Sequence, residues 1–213
     1  MARPSQNIDQ RLLAAGFELL PITGCRGLSA RRLTEHAGVN LGMFHYHFRT
    51  KENFIRTLLN QTYEQMFSVL AIKAKEGKSP LHNLRNALKV LAHFGRSHRQ
   101  LLLRIGADAI AGEQVAAEFL QVNVPRHLAV IARLIDEAQH DGAIVKVPLP
   151  QVVAFLAGSI MAPVLFGTAV QENGLLPAET ARLLGHEVLS KEATEQRIDF
   201  ALRGLSTASR STI

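Results

Sequence analysis

Apolar residues recur three and four positions apart along almost the whole chain, and no segment alternates apolar with polar between hairpin turns. That pattern commits the chain to an all-α fold. A first helix is expected over about Asn7 to Leu20, with Ile8, Leu12, Ala15 and Leu19 on one face, stopped by Pro21 and Gly24. Two short helices follow, about Ala30 to His36 and Leu41 to Phe48. Thr50 is placed to cap a long fourth helix that carries Phe54, Leu58, Thr62, Met66 and Val69 along one stripe and ends at Gly77. Ser79-Pro80 joins an N-cap to a first-turn proline and opens a fifth. Later helices are expected over about Gln100 to Ile110, Glu113 to His140 with a bend at Pro125, Leu149 to Val170, and Ala178 to Leu205, with Gly185 as the candidate break in the last.

A chain of 213 residues, 47% of them hydrophobic, has enough apolar surface for a sizeable core or for a small domain beside a larger one. The net charge of +6 is concentrated near the N-terminus: Arg3, Arg11, Arg26, Arg31, Arg32, Arg49 and Lys51 face only Asp9, Glu18 and Glu35, an excess of four within residues 1–51. Such a surface suits a polyanion. The single cysteine, Cys25, makes no intrachain disulfide, and with no secretory signal at the N-terminus the expected compartment is the cytoplasm. No charged residue lies between Lys146 and Glu172, a span long enough to cross a bilayer. Pro148, Pro150, Gln151, Gly158, Ser159, Pro163, Gly167 and Thr168 interrupt it and no aromatic belt flanks it, so the expectation is a buried helix covered by an oligomer interface or a pocket, and no membrane.

Residues Leu28 to Phe48 have the spacing of a helix-turn-helix. Ser29 is an N-cap, Leu33 and Ala37 pack inward, Gly38 supplies the turn, Val39 plugs the angle and Asn40 caps the next helix. Phe44 and Phe48, four apart, face the core, which leaves Gly42, Met43, Tyr46 and His47 on the other side. Gly42 permits close backbone approach to a base edge, the helix N-terminus at Asn40 favours phosphate, and Lys51 adds a charged phosphate contact.

The run Ala37-Gly38-Val39-Asn40-Leu41-Gly42-Met43-Phe44-His45-Tyr46-His47-Phe48-Arg49-Thr50-Lys51-Glu52-Asn53-Phe54 resembles the recognition-helix signature of the TetR family of bacterial transcription regulators. The segment Ala14 to Leu20, the approach Gly27-Leu28-Ser29 and the closing Leu202-Arg203-Gly204-Leu205 are similar to that family at matching places. By this resemblance Ser29, Asn40, His45, Tyr46, His47 and Lys51 would hold phosphates, Arg31, Leu41 and Gly42 would lie nearest bases, and Met43 would adjoin both groups. His45 stands where a tyrosine is usual and Met43 where a small hydroxylic residue is usual. The resemblance implies a three-helix DNA-binding domain over 1–50, a larger helical ligand-binding and dimerisation domain over 51–205, and a disordered tail at 206–213. It further implies a homodimeric repressor on a palindromic double-stranded operator, released by a small, mostly apolar effector through the fourth helix, with the dimer formed by the charge-poor helix and the helix ending at Leu205.

The ligand cavity expected from the same resemblance would draw on Met66, Phe67, Phe94, Phe119, Phe155, Met161 and Phe166, with His93, Arg104 and Gln121 as polar anchors. Each of the apolar residues would serve equally as core. His45 and His47, two apart on a helix, point to different faces and share no metal, and the Glu137, His140 pair lacks the second copy that di-iron chemistry needs. No nucleophile elbow, phosphate-binding glycine loop or paired-carboxylate motif supports an enzyme, and no cofactor is expected. Cys25 beside Arg26 would be a redox sensor only with a lowered thiol pKa; inertness is the expectation. The rival readings, a helical enzyme and a protein-binding module, leave the ordered run from Ser29 to Lys51 unexplained.

Overall fold

The computed structural model describes residues 7–207. Among them are ten helices: α1 Ile8–Gly27, α2 Ala30–Ala37, α3 Leu41–Phe48, α4 Lys51–Lys73, α5 Pro80–Ser97, α6 Arg99–Ile110, α7 Gln114–His140, α8 Leu149–Glu172, α9 Ala178–Glu187 and α10 Lys191–Leu205. The all-α expectation holds. The caps that the sequence proposes are made: Ser29 accepts from the Arg32 N–H, Asn40 from Gly42, Thr50 from Asn53 and Ser79 from His82.

Three boundaries differ. The first helix runs through Pro21 and breaks only at Gly24, whose φ of 66° and ψ of 177° leave the helical region. A proline removes one ladder bond and crowds the carbonyl four residues back; burial of Leu19 and Leu20 on the same turn outweighs that local cost. The fourth helix ends at Lys73, ahead of Gly77, whose N–H is instead taken by Asn83 Oδ1 at 2.6 Å. The C-terminal helical stretch is interrupted after Glu187 and not at Gly185. Ser190 caps the new helix by accepting from the Ala193 N–H at 3.1 Å, and buried Leu189 occupies the joint. Ser206 and Thr207, expected in the tail, are held by Ile144 and Gly142. Ser206 pairs with Ile144 in an antiparallel bridge, and the Thr207 hydroxyl donates to the Gly142 carbonyl at 2.8 Å; residues 208–213 lie outside the described residues.

Packing divides the described residues into two compact units, one within residues 7–65 and 100–123 and one within residues 66–99 and 124–207. The first therefore takes in more than the three N-terminal helices. Leu12, Leu20, Leu33 and Phe44 share one apolar cluster with Ile55, Leu58, Leu101, Ile105 and Val115, because three short helices alone enclose too little apolar surface. At its centre the rings of Phe44, Phe48 and Phe54 meet at centroid distances of 4.9 to 5.7 Å. Gly16 lets α1 reach this group: a β-carbon there would sit 2.6 Å from the Phe54 ring.

The second unit buries Leu84, Ala87 and Ala92 of α5, Val152, Leu156, Ile160 and Val164 of α8, and Ile198, Ala201 and Leu202 of α10. Along its rim α5 and α10 exchange ion pairs, Arg85 with Asp199 and Lys89 and His93 with Glu195. The His93 hydrogen bond, then that from Lys89, holds the Glu195 carboxyl below the usual carboxylate range. On α8 the buried residues form one stripe. The opposite stripe, including Phe155 and Phe166, is open.

Candidate nucleic-acid interface

The turn between α2 and α3 is closed by local chemistry. Gly38 has φ 62° and ψ 41°, the left-handed conformation that glycine adopts without a side-chain penalty. Its N–H reaches the Glu35 carbonyl and that of Val39 reaches Thr34, the paired bonds of a Schellman ending. Arg11 on α1 adds a clamp that the motif itself does not contain. Its guanidinium donates to the carbonyls of Ala37 at 2.6 Å and Gly38 at 3.0 Å, placing a cation at the negative end of α2. His36 of α2 meets Glu18 of α1 at 2.7 Å.

On α3, Leu41, Gly42, His45 and Tyr46 are exposed, Tyr46 to 73%, while Phe44 is fully buried. Asn40 spends its side-chain oxygen on the Gly42 N–H at 2.7 Å, and Ser29 caps α2 in the same manner. Arg31 is exposed beside Glu35, 2.9 Å away. Three of the residues expected on this face are placed differently. Met43 and His47 are half-buried, and the Nε2 of His47 is enclosed without a hydrogen-bond partner. Lys51 is also half-buried, its ammonium donating to the Cys25 carbonyl at 2.9 Å. For Lys51 the reason is tertiary, a carbonyl 26 residues away that spacing alone does not reveal.

The turn that leads into α2 is fastened from α6 and the turn that follows it. Asp108, buried, accepts the Cys25 N–H at 2.7 Å. Arg104 lies beside Asp108 at 3.3 Å, donates to the Thr23 carbonyl at 3.3 Å, and fills the space a β-carbon on Gly24 would need. Arg26 pairs with Glu113 and reaches the Ala111 carbonyl. Burial, then the Asp108 hydrogen bond and charge, push the Cys25 thiol up to about 12. A thiol so held has little thiolate at neutral pH, which is the opposite of a redox sensor.

The residues expected to line a ligand cavity are divided between the two units. In the first, Arg104 is committed to the lead-in turn, Phe119 stands edge-on to Tyr63 at 6.1 Å, and Gln121 is exposed. In the second, Met66 is buried, Arg126 lies over the Phe67 ring at 4.3 Å, Phe94 stacks on His98 at 4.5 Å, and Met161 packs on Gly95. His93 is already paired with Glu195. Phe155 and Phe166 are 44% and 73% exposed on the outer stripe of α8, where nothing encloses them in the single chain. An open groove of about 430 Å³ is lined by Asp136, Gln139, His140, Lys146, Val147 and Pro148 and shares none of these residues.

Sequence reasoning missed Arg11 as the clamp of the turn and the carboxylates Asp108 and Glu113 that hold the lead-in. Arg11 counted there only as charge. Its position one helical face from Ala15 was the available signal; for Asp108 and Glu113, more than eighty residues from their partners, there was none.

A glycine-turned, doubly capped helix pair on an aromatic core, with an exposed second helix and surrounding cations, defines a helix-turn-helix DNA-binding protein. Residues 12–58 match the family described as bacterial regulatory proteins, tetR family. A Bacillus subtilis protein named as an HTH-type transcriptional regulator, YttP, is 20% identical over 157 residues, covering 73% of this chain and 76% of that one. Among solved structures, the ketosteroid transcriptional regulator KstR2 of Mycobacterium tuberculosis superposes with a TM-score of 0.71 at 14% identity, covering 93% of this chain and 95% of its own. The transcriptional regulator FadR of Bacillus subtilis, in complex with stearoyl-CoA, gives 0.69 at 13% identity over 92% and 98%. The tetR-family match covers the helix-turn-helix segment, and over most of its length the chain is similar to transcriptional regulators.

Proposed function

We propose that this regulator acts in the cytoplasm as a homodimeric repressor that a small, mostly apolar ligand releases from a palindromic operator. The observation that carries the reading is the uncovered stripe of α8. The helix has a mean hydropathy of 2.0 over its most apolar window, yet only 33% of that window is buried within the chain. Phe155 and Phe166 share the exposed face with Gly158 and Ala162, and Phe200 of α10 is 62% exposed. Gly204 of α10 lies next to Phe155, so the two helices present one apolar surface. Surfaces of this kind on soluble chains mark interfaces, and a second copy offering the same stripe is self-complementary. A bilayer is the poorer occupant, because the opposite stripe of α8 is packed with its own chain. A twofold pair would set two α3 helices against successive major grooves, which favours a palindromic site.

An apolar effector is supported by the aromatic and methionine content of Met66, Phe67, Phe94 and Met161, and by the stearoyl-CoA bound to the FadR relative. Release requires the ligand to bind the DNA-incompetent arrangement more tightly than the competent one. The decisive experiment is genome-fragment selection with the purified protein, followed by release assays with acyl and steroid ligands and sedimentation of wild type and Phe166→Lys. Recovery of palindromic fragments, their release by an apolar ligand and a monomeric Phe166→Lys variant are the expected results. Asymmetric half-sites together with a monomeric wild type would overturn the dimer.

A further inference from the structure

Arg49 closes the recognition helix in a conformation that is costly for any residue bearing a side chain. It is the non-glycine residue with positive φ among the described residues, at φ 63° and ψ −58°. The Thr50 N–H returns to the Phe48 carbonyl at 2.7 Å, which makes Arg49 the centre of a γ-turn of the rare positive-φ kind. Glycine would adopt this geometry with less strain. The arginine side chain is exposed and makes no ion pair or hydrogen bond with the described residues, so none of them offsets the strain.

The turn is nonetheless held firmly. The Arg49 N–H donates to the His45 carbonyl at 3.1 Å, and the His45 ring Nδ1 lies 3.1 Å from the Arg49 carbonyl oxygen. A carbonyl only accepts, so that bond assigns the proton to Nδ1. That nitrogen is therefore committed to the turn. A tyrosine, with its hydroxyl at the far end of the ring, lacks the ring donor that makes this bond. The unusual residue at position 45 and the strained residue at 49 thus form one arrangement.

We propose that Arg49 is a phosphate-binding cation of the reading head, aimed at the operator backbone by its strained turn, and that His45 is a positioning residue for that turn. The inference rests on the DNA-reading function of α3. It gives α3 a charged backbone contact that its own side chains lack, and that Lys51, turned inward to Cys25, supplies less readily.

The test uses the full-length protein with a selected operator duplex and an unrelated duplex of equal length, titrated across salt concentration. Arg49→Gln is expected to weaken both duplexes alike, by about fivefold for each Arg49 engaged at about 0.15 M salt, and to flatten the slope of log K against log salt by about 0.9 for each. Arg49→Lys should keep most of the affinity. Arg49→Gly should lose as much affinity as Arg49→Gln yet melt at a higher temperature, because the strain is relieved. Nitrogen-15 spectra of the imidazole should show a proton on Nδ1. His45→Phe should weaken binding in the wild type and cost nothing further in Arg49→Gln. An Arg49→Gln variant with unchanged affinity and slope overturns the role of Arg49, and an Nδ1 without a proton or a fully additive His45→Phe loss overturns that of His45. Failure of the wild type to bind either duplex would instead overturn the DNA-reading function beneath both.

Discussion

Asp108 is the residue on which the lead-in to the helix-turn-helix depends, and its removal has a calculable effect. Asp108→Ala leaves the buried Cys25 N–H without an acceptor and removes the carboxylate next to Arg104. A hydrogen bond to a charged group contributes about 1.5–3 kcal/mol, and a buried donor left unpaired costs about 1–3 kcal/mol on the same scale, two views of one loss. Arg104 is 40% exposed, so water replaces much of its ion pair and little is added. The expected destabilisation is therefore about 2–3 kcal/mol. Asp108→Asn keeps an acceptor oxygen for Cys25 and forfeits only the charge, so about 1 kcal/mol is expected. Urea unfolding monitored by circular dichroism measures both. At roughly 2–4 °C per kcal/mol for a chain of this size, the two variants should separate in thermal melts. Equal midpoints for wild type and Asp108→Ala would refute the assignment. An asparagine variant as unstable as the alanine one would show that charge, and not the Cys25 hydrogen bond, is what matters.

Three further outcomes follow from other contacts. The Cys25 thiol, lifted from 9.0 to about 12 first by burial and then by Asp108, keeps its proton in the folded chain while the unfolded chain loses it above pH 9. Its contribution to stability is complete below pH 9 and falls by about 1.4 kcal/mol per pH unit from there to 12, so Cys25→Ala should flatten the alkaline limb of a pH–stability profile. Gly16→Ala should destabilise by about 1–3 kcal/mol despite alanine's better helix propensity, because its β-carbon meets the Phe54 ring at 2.6 Å; a higher melting temperature would contradict this. Arg11→Gln should cost about 1 kcal/mol by weakening the clamp on the Ala37 and Gly38 carbonyls, with loss of operator affinity as the second readout.

What was legible in the sequence is what local chemistry decides. The caps at Ser29, Asn40, Thr50 and Ser79 and the reversal at Gly38 involve partners within five residues, and all formed as expected. The inward Phe44 and Phe48 followed from helical spacing. Pro21 misled because its local cost is overridden by burial of its neighbours, and Gly185 because a serine cap five residues later is the stronger signal. The inward turn of Lys51 is set by a segment that only the folded chain brings close. The division into two units was hidden for the same reason: Leu101, Ile105 and Val115 join the N-terminal core from more than forty residues away.

The single, buried cysteine has a practical consequence. Because the chain contains one thiol, and that thiol sits in the turn leading into the DNA-reading helices, any thiol-directed label acquired by the native protein is acquired there. Modification must wait for the turn to open, so its rate in excess reagent reports how often the lead-in segment lets go of α6. A duplex that binds only the closed form would slow that clock in proportion to its occupancy, turning an inert side chain into an internal gauge of how operator and effector act on the reading head.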